Sequence, residues 1–190
     1  MVKVQSGAGF GYEAKVDKDL RLWVSAKTEP SQQNSSHSKQ RAFHVSYSQA
    51  ITNSDVPLIV MTNDNPDLDI VVTQIRMMSI GAAASNVGAY FRVLVGGSYA
   101  SGGAAVTPVN MNSESAVPSL STIYNGSSSL SVTGGNEVDL DYTANEMIEI
   151  NNGTMILTNG TSMSLRHLGS TVAGTAYVRI SYYFDDKPGK

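Results

Sequence analysis

The strongest constraint on the fold of this chain is a period-two pattern across residues 173–184. An extended strand turns successive side chains to opposite faces of a sheet, so such a pattern predicts a strand with one apolar face. We expect this last strand to lie in the middle of a sheet, with earlier strands as its partners. Its apolar face carries Ala176, Val178, Ile180, Tyr182 and Phe184, and its opposite face carries Tyr177, Arg179, Ser181 and Tyr183.

The rest of the chain consists of short apolar or alternating runs, without the spacing of apolar residues that a helix requires. Turn-forming pairs that end in glycine begin at Asn125, Gly134, Asn152 and Asn159, and such pairs favour two-residue hairpins. The pattern predicts an all-β chain, a jelly-roll-like antiparallel β-sandwich with an extended N-terminal arm. Strands are predicted at residues 20–26, 42–47, 57–62, 67–80, 89–95, 120–124, 129–133, 137–142, 147–150, 155–158, 163–167 and 173–184.

Two of these predicted strands have a further feature. In residues 67–80 the apolar rhythm slips near Gln74, which predicts a bulge. Residues 89–95 are apolar on nearly both faces, which is more than one face of a sandwich requires. We therefore expect a stable homotrimer, in which the second face of this strand is buried between subunits. The small-residue and Asn/Ser-rich stretches at residues 81–88, 101–107 and 108–118 are predicted loops.

The first 41 residues are predicted to form an N-terminal arm, a first strand and a polar linker, ahead of a sandwich domain at residues 42–190. Residues 7–12 are rich in glycine, but their spacing fits neither a dinucleotide-binding nor a P-loop fingerprint, and no strand is expected before them. They form either a flexible arm or an arm that docks its aromatic side chains on a neighbouring subunit. Trp23 is either a minor core residue or an interface anchor. The candidate interface residues are Phe10, Tyr12, Leu20, Leu22 and Trp23.

Charge and composition exclude several classes of function. Charged residues make up 15% of the chain, against about 25% in average soluble proteins. The net charge is -3 and no cluster of Lys or Arg stands out, so no direct nucleic-acid partner is expected. The absence of cysteine excludes disulfides and thiol chemistry. The N-terminus lacks the apolar core of a signal peptide and no apolar run is long enough to cross a bilayer, which predicts a cytoplasmically made protein without a membrane partner.

No set of residues has the pattern of a catalytic centre. The histidines, His37, His44 and His167, occur in unrelated contexts, and no nucleophile elbow of the G-x-S-x-G type is present. Zinc-type histidine spacing is also missing. We therefore predict that the protein is not an enzyme and that it has no catalytic residues, no cofactor and no metal ligands.

Two Asp-Leu-Asp triplets are the nearest approach to a metal or acid–base site. Asp64, Asp67 and Asp69 form a string of the kind that hard cations such as Ca²⁺ prefer, but it lacks the glycine and terminal glutamate of an EF-hand. A solvated strand face is the favoured interpretation for it. The carboxylate pair of Asp139 and Asp141 leaves glycoside hydrolysis open, although the chain offers few aromatic residues for a sugar-binding groove.

Several short phrases of the chain occur in a characteristic order. They are an alternating strand at residues 20–24 followed by a polar gap and Ala42-Phe43-His44-Val45-Ser46, then Asp67-Leu68-Asp69-Ile70, Asn110-Met111-Asn112 after Pro108, and the closing Gly174-Thr175-Ala176. In these phrases the chain resembles small structural proteins of tailed bacteriophages. Such proteins decorate or cement the assembled capsid, commonly as trimers of a jelly-roll domain, and the resemblance implies no catalytic residues.

The function that this resemblance implies is that of a virion structural protein, a homotrimeric subunit that decorates and stabilises the assembled phage capsid. Its partner is then the major capsid protein, and its place is the exterior of the virion. The alternative is a carbohydrate- or receptor-binding jelly-roll module of a phage tail fibre or spike. Such a module would bind through loops such as residues 96–103 and 110–118, because the loops at the end of a sandwich often carry binding.

Overall fold

The computed structural model describes residues 3–5, 11–13, 39–51, 54–81, 88–126, 129–144, 146–170 and 173–187. The chain divides into two compact units, Met1–Pro30 and Ser31–Lys190. In the first unit, β1 (Lys3–Gln5) pairs antiparallel with β2 (Gly11–Glu13). A strand therefore does precede the glycine-rich stretch, contrary to the expectation from sequence. The predicted strand at residues 20–26 lies outside the described residues.

The described residues of the second unit form thirteen strands, and every described pairing between them is antiparallel. Within the described residues the chain has no helix, so the prediction of an all-β fold is confirmed. The strands are β3 (Ala42–Ile51), β4 (Val56–Asn63), β5 (Leu68–Gly81), β6 (Gly88–Val95), β7 (Ser98–Ser101), β8 (Ala104–Ala105), β9 (Val109–Asn110), β10 (Ser121–Asn125), β11 (Ser131–Thr133), β12 (Asn136–Ala144), β13 (Met147–Leu157), β14 (Ser162–Ser170) and β15 (Gly174–Asp186).

Two large sheets pack face to face in this unit. The five-stranded sheet has the order β13-β5-β15-β3-β9, and the six-stranded sheet has the order β12-β6-β14-β4-β10-β8. Strands β3 to β6 alternate between the two sheets along the chain, and strands β12 to β15 alternate in the same way. Eight long strands arranged so that each sheet receives every second one form a jelly roll. A separate two-stranded sheet, β11-β7, completes the unit.

The strand β15 is the central strand of the five-stranded sheet, as its pattern predicts. It pairs with β3 on one edge and with β5 on the other. All five side chains of its predicted apolar face are buried in the core, where Tyr182 and Phe184 pack with Phe43 at ring-centroid distances between 5.8 and 6.0 Å. On its opposite face Tyr183 is also buried, because Ala42 and Val71 pack around it.

The bulge predicted near Gln74 is present in β5. Ser181 of β15 lies opposite Gln74, whereas the next residue, Tyr182, lies opposite Val72. Thr73 is thus the extra residue, and its Oγ1 donates a hydrogen bond of 3.0 Å to the carbonyl oxygen of Ser181. The bulge keeps Ile75 on the core side after the change of phase, which explains the slip in the sequence pattern.

The predicted hairpins are wrong, because in the described residues no two strands joined by one of these turns pair with each other. Asn152 lies inside the single strand β13, whose pairing with β5 is irregular between Asn151 and Met155. The turn at Gly160 has a positive φ of 76°, but it joins β13 to β14, and these strands belong to different sheets. A turn residue fixes a reversal of the chain and does not decide which strand becomes the partner. The predicted loops at residues 101–107 and 108–118 contain the short strands β8 and β9.

Candidate functional site

An exposed apolar surface covers the outer side of β6 and β12, at one edge of the six-stranded sheet. It consists of Tyr90, Val138, Leu140 and Tyr142, which are 50%, 54%, 46% and 55% exposed, and we call it the β6–β12 patch. Tyr90 and Tyr142 are partners in the register of the two strands, and their rings lie 5.0 Å apart. Four neighbouring large side chains that remain half in water are unusual on a monomer and typical of a contact surface.

Two arginines of the six-stranded sheet beside the β6–β12 patch have carboxylate partners within the chain. Arg92 Nε lies 2.5 Å from Glu137 Oε2, and Arg166 Nε lies 3.1 Å from Asp55 Oδ1. A register shift between Glu137 and Asp139 marks a bulge at Val138. The surface therefore combines apolar area with ion pairs at its border, a composition found at contacts between proteins.

A second surface is a groove on the outer face of the five-stranded sheet, with a volume of about 430 Å³. We call it the arginine groove, and it crosses β3, β15, β5 and β13. Arg179 and Arg76 are partners in register, and so are Tyr177 and Met78, with Met147 beyond Met78. Arg76 Nε bonds Glu149 Oε2 at 2.7 Å. The groove thus has a charged row beside an apolar row.

A third surface is a polar pocket of about 280 Å³ on the outer face of the six-stranded sheet. The rings of Tyr99 and Tyr124 stack in its wall, with centroids 4.1 Å apart and planes 9° from parallel. The carboxylate of Asp64 accepts a hydrogen bond from the hydroxyl of Thr122, and both groups line the pocket. Hydroxyl-bearing side chains and an aromatic wall are the elements of a site for polar, hydroxyl-rich ligands.

Most of the interface residues proposed from sequence lie outside the described part of the chain. Phe10, Leu20, Leu22 and Trp23 all belong to that group. Tyr12 lies in β2, where its Cα partner is Val4 of β1. The prediction that these five residues form an interface stays a prediction.

The string of Asp64, Asp67 and Asp69, for which a solvated face was expected, is mostly exposed, and only Asp69 is partly buried. Asp67 precedes β5 in a turn, where its backbone N–H donates to Asn65 Oδ1 at 2.8 Å. Asp139 and Asp141 are partly buried, and their register partners Val93 and Phe91 are core residues. Burial, and after it the charge of Asp139, raises the pKa of the Asp141 carboxyl. The alternation of Val138, Leu140 and Tyr142 around this triplet is the signal in the sequence from which the β6–β12 patch could have been predicted.

The described histidines belong to different sheets. His44 lies on β3 of the five-stranded sheet, and burial and the charge of Arg179 lower its pKa. His167 lies on β14 of the six-stranded sheet and is completely buried against Phe91. Burial lowers its pKa, while a hydrogen bond to the backbone of Ser54 and the charge of Asp55 act in the opposite direction.

Among the described residues, no three His, Cys, Asp or Glu side chains are grouped so that they could hold a metal ion. The same part of the chain contains no helix long and apolar enough to cross a membrane. No family model matches the chain, and no curated protein matches it in sequence. The class that the fold defines is the antiparallel jelly-roll β-sandwich, and the three surfaces described above are its candidate sites of action.

Proposed function

We propose that the protein is a virion structural subunit that decorates and stabilises an assembled phage capsid as a homotrimer. The observation that carries the proposal is the β6–β12 patch, an exposed apolar surface beside paired charges on a closely packed jelly roll. A patch of this composition suits permanent contact with other subunits. The resemblance to bacteriophage decoration proteins adds the capsid as the place of assembly.

The physical role of such a subunit is multivalent clamping. Once one subunit of a trimer has bound, its neighbours are held close to the shell at a high effective concentration, so weak individual contacts combine into a stable attachment. A rigid sandwich is suited to this role because it transmits force between contacts without deforming. In this proposal the partner is the major capsid protein, the location is the outside of the virion, and neither nucleic acid nor a membrane is contacted.

The proposed trimer is tested by a substitution in the patch. Leu140→Glu places a charge in the centre of the apolar surface, and we expect sedimentation equilibrium to show a trimer for the unchanged protein and a monomer for the variant. Val109→Glu is the matched control, because Val109 is 56% exposed on β9 of the other sheet. A monomeric unchanged protein at micromolar concentration would reject the trimer, and a trimeric Leu140→Glu variant would reject the patch as its interface.

Binding of the protein to the capsid is tested by co-sedimentation with empty, undecorated shells. The protein is expected to pellet with the shells in a saturable manner, with a fixed number of copies per capsomer. Protein that stays in the supernatant at every concentration contradicts the proposal.

A second candidate function is supported by the polar pocket. Glycan binding uses an aromatic surface for the apolar face of a sugar and carboxylate or hydroxyl groups for its hydroxyls. Tyr99, Tyr124 and Asp64 supply those elements, and Tyr99 belongs to the loop region that the sequence assigned to the alternative function. In this alternative the protein is a carbohydrate- or receptor-binding module of a tail fibre or spike.

A glycan array separates the two candidates. The alternative predicts strong binding to a restricted set of glycans that is lost in Tyr99→Ala and in Asp64→Asn and kept in Tyr90→Ala. The capsid proposal predicts no glycan binding. An array with specific signals, together with failure to pellet with shells, would replace the first proposal by the second.

A further inference from the structure

The arginine groove contains a positive charge that the described part of the chain does not neutralise. Arg179 and Arg76 lie directly opposite each other on neighbouring strands, and like charges in that arrangement destabilise a sheet. The charge of Arg76 is balanced by an ion pair with Glu149 on the neighbouring strand β13. Arg179 is exposed and makes no ion pair with any described residue. The repulsion between Arg179 and Arg76 therefore destabilises the sheet, and no described carboxylate pairs with Arg179 to offset it.

An apolar row runs beside this charged row. Tyr177, Met78 and Met147 lie side by side on β15, β5 and β13, two residues along each strand from the charged row. Two residues of a strand span about 7 Å, which is the spacing between neighbouring side chains on one face. Tyr177 is 42% exposed and Met147 is 57% exposed. A ligand lying along the groove would contact a cation on one side and apolar side chains on the other.

We propose that the arginine groove docks an acidic protein segment, one that carries a carboxylate next to an apolar side chain. The carboxylate would accept two hydrogen bonds from the planar guanidinium of Arg179, and the apolar side chain would pack on Met78, Met147 and Tyr177. Met side chains adapt to different partners, which suits a peptide-binding surface. The inference deepens the proposed function and rests on it only for the source of the segment, which is the capsid shell.

Two other occupants fit the groove less well. A nucleic acid needs several cations along its phosphates, and this groove offers one uncompensated arginine on a chain whose net charge is -3. A second copy that docked groove to groove would bring two copies of Arg179 together, which repel each other. Charge complementarity therefore favours an acidic protein partner.

The test uses the full chain and a short synthetic peptide in which two glutamates flank a leucine, with a matched peptide that has glutamine in place of each glutamate. Binding is followed by fluorescence anisotropy at low and at high salt. We expect the glutamate peptide to bind about two- to fivefold more tightly than the glutamine peptide at low salt, because Arg179 is exposed and an exposed ion pair contributes a factor of that size. The preference should shrink at high salt. Equal binding of the two peptides, or no binding of either, overturns the proposal.

Variants locate the site. Arg179→Gln and Arg179→Glu should each remove the preference for the glutamate peptide, and Met147→Ser should weaken binding of both peptides. Arg41→Glu is the matched control, since it makes the same change of net charge at an arginine that pairs with Asp186 outside the groove. If Arg179→Glu binds the glutamate peptide as the unchanged protein does, or if single-stranded oligothymidylate binds more tightly than this peptide, the proposal is wrong.

A spectroscopic readout checks that the carboxylate meets Arg179. The charge of Arg179 contributes to the lowered pKa of the neighbouring His44, so a carboxylate docked on Arg179 should raise the pKa of His44 in an NMR titration of the ring protons. An unchanged His44 titration with the peptide bound contradicts the proposed geometry. These measurements use the isolated protein, so they fail or succeed separately from the co-sedimentation with shells that tests the proposed function.

Discussion

Tyr182 contributes both apolar packing and hydrogen bonds to the core. Its ring lies in the core between the sheets, and its hydroxyl bonds the hydroxyls of Ser119 and Ser121 at 2.8 Å each. Burial raises the pKa of the phenol to about 12, against the smaller opposite effect of the two serine hydrogen bonds. The period-two pattern predicted that Tyr182 faces the core. It could not predict the serines, which lie before and at the start of β10 and reach the tyrosine only through the tertiary fold.

Removing this hydroxyl is expected to destabilise the protein. In Tyr182→Phe the hydroxyls of Ser119 and Ser121 lose the tyrosine and keep their mutual hydrogen bond of 2.7 Å and the one that Ser119 Oγ accepts from the backbone N–H of Ser121 at 3.3 Å, so we expect a loss of about 1–2 kcal/mol in the free energy of unfolding. Chemical denaturation measures this loss. Tyr177→Phe is the control on the exposed face of the same strand, and a loss of the same size there would show that the buried hydrogen bonds are not the cause.

The buried His167 predicts how stability depends on pH. Its pKa is lower in the folded protein than in the unfolded chain, where a histidine takes up a proton below a pH of about 6.5, so near that pH the folded state binds fewer protons at this residue. The unfolded state then binds more protons, and the contribution of this residue to stability is lost progressively as the pH falls below that value.

Thermal melts from pH 7.5 down to pH 5 measure this effect. The difference in melting temperature between the unchanged protein and His167→Gln is expected to shrink as the pH falls. His44→Gln gives the comparison, since His44 is only partly buried and should show a smaller change. A difference that stays constant or grows as the pH falls contradicts the assignment.

At the scale of strands, the sequence predicted where strands lie better than which strands pair. The strand β15, the bulge at Thr73 and the end of β6 at Val95 all follow from local patterns of side chains. Pairing depends on contacts between distant parts of the chain, and a turn such as that at Gly160 has the same local chemistry whether it closes a hairpin or crosses between sheets. At Asn152 the same turn-forming residues lie at an irregularity within the strand β13 and do not end it.

Glycines near the short strands test how tightly these elements fit. Gly103 and Gly134 both have a positive φ, of 74° and 68°, so alanine is strained at either position, by about 1–3 kcal/mol. A Cβ at Gly103 would also overlap the backbone oxygen of Asn125 in β10, whereas a Cβ at Gly134 meets no atom within 4 Å. We expect Gly103→Ala to destabilise the protein by about 1–3 kcal/mol more than Gly134→Ala does, in chemical denaturation. Equal losses would mean that only the backbone conformation matters.

At the scale of the whole molecule, the sequence predicted the jelly roll but only part of the β6–β12 patch. It indicated an apolar excess on β6, whereas the exposed apolar area extends to β12, where Leu140 lies between the two aspartates of a triplet. The arginine groove was not predicted, because Arg179 and Arg76 are distant in sequence and become neighbours only when β5 and β15 pair.

The N-terminal residues are predicted to act in attachment. Large aromatic residues such as Phe10, Tyr12 and Trp23 can each supply about 2 kcal/mol or more when docked in a pocket. Deletion of residues 1–26 should leave the thermal melt of the sandwich nearly unchanged and abolish binding to shells. If the shortened protein decorates shells as well as the full chain does, these residues have no part in attachment.

Cryo-electron microscopy of the native virion tests the central claim most directly. The account predicts density for this jelly roll on the outer surface of the capsid, in groups of three, with the β6–β12 patch between neighbouring copies. Density for the same fold at the tip of a tail fibre or spike, or a capsid surface without it, would contradict the account.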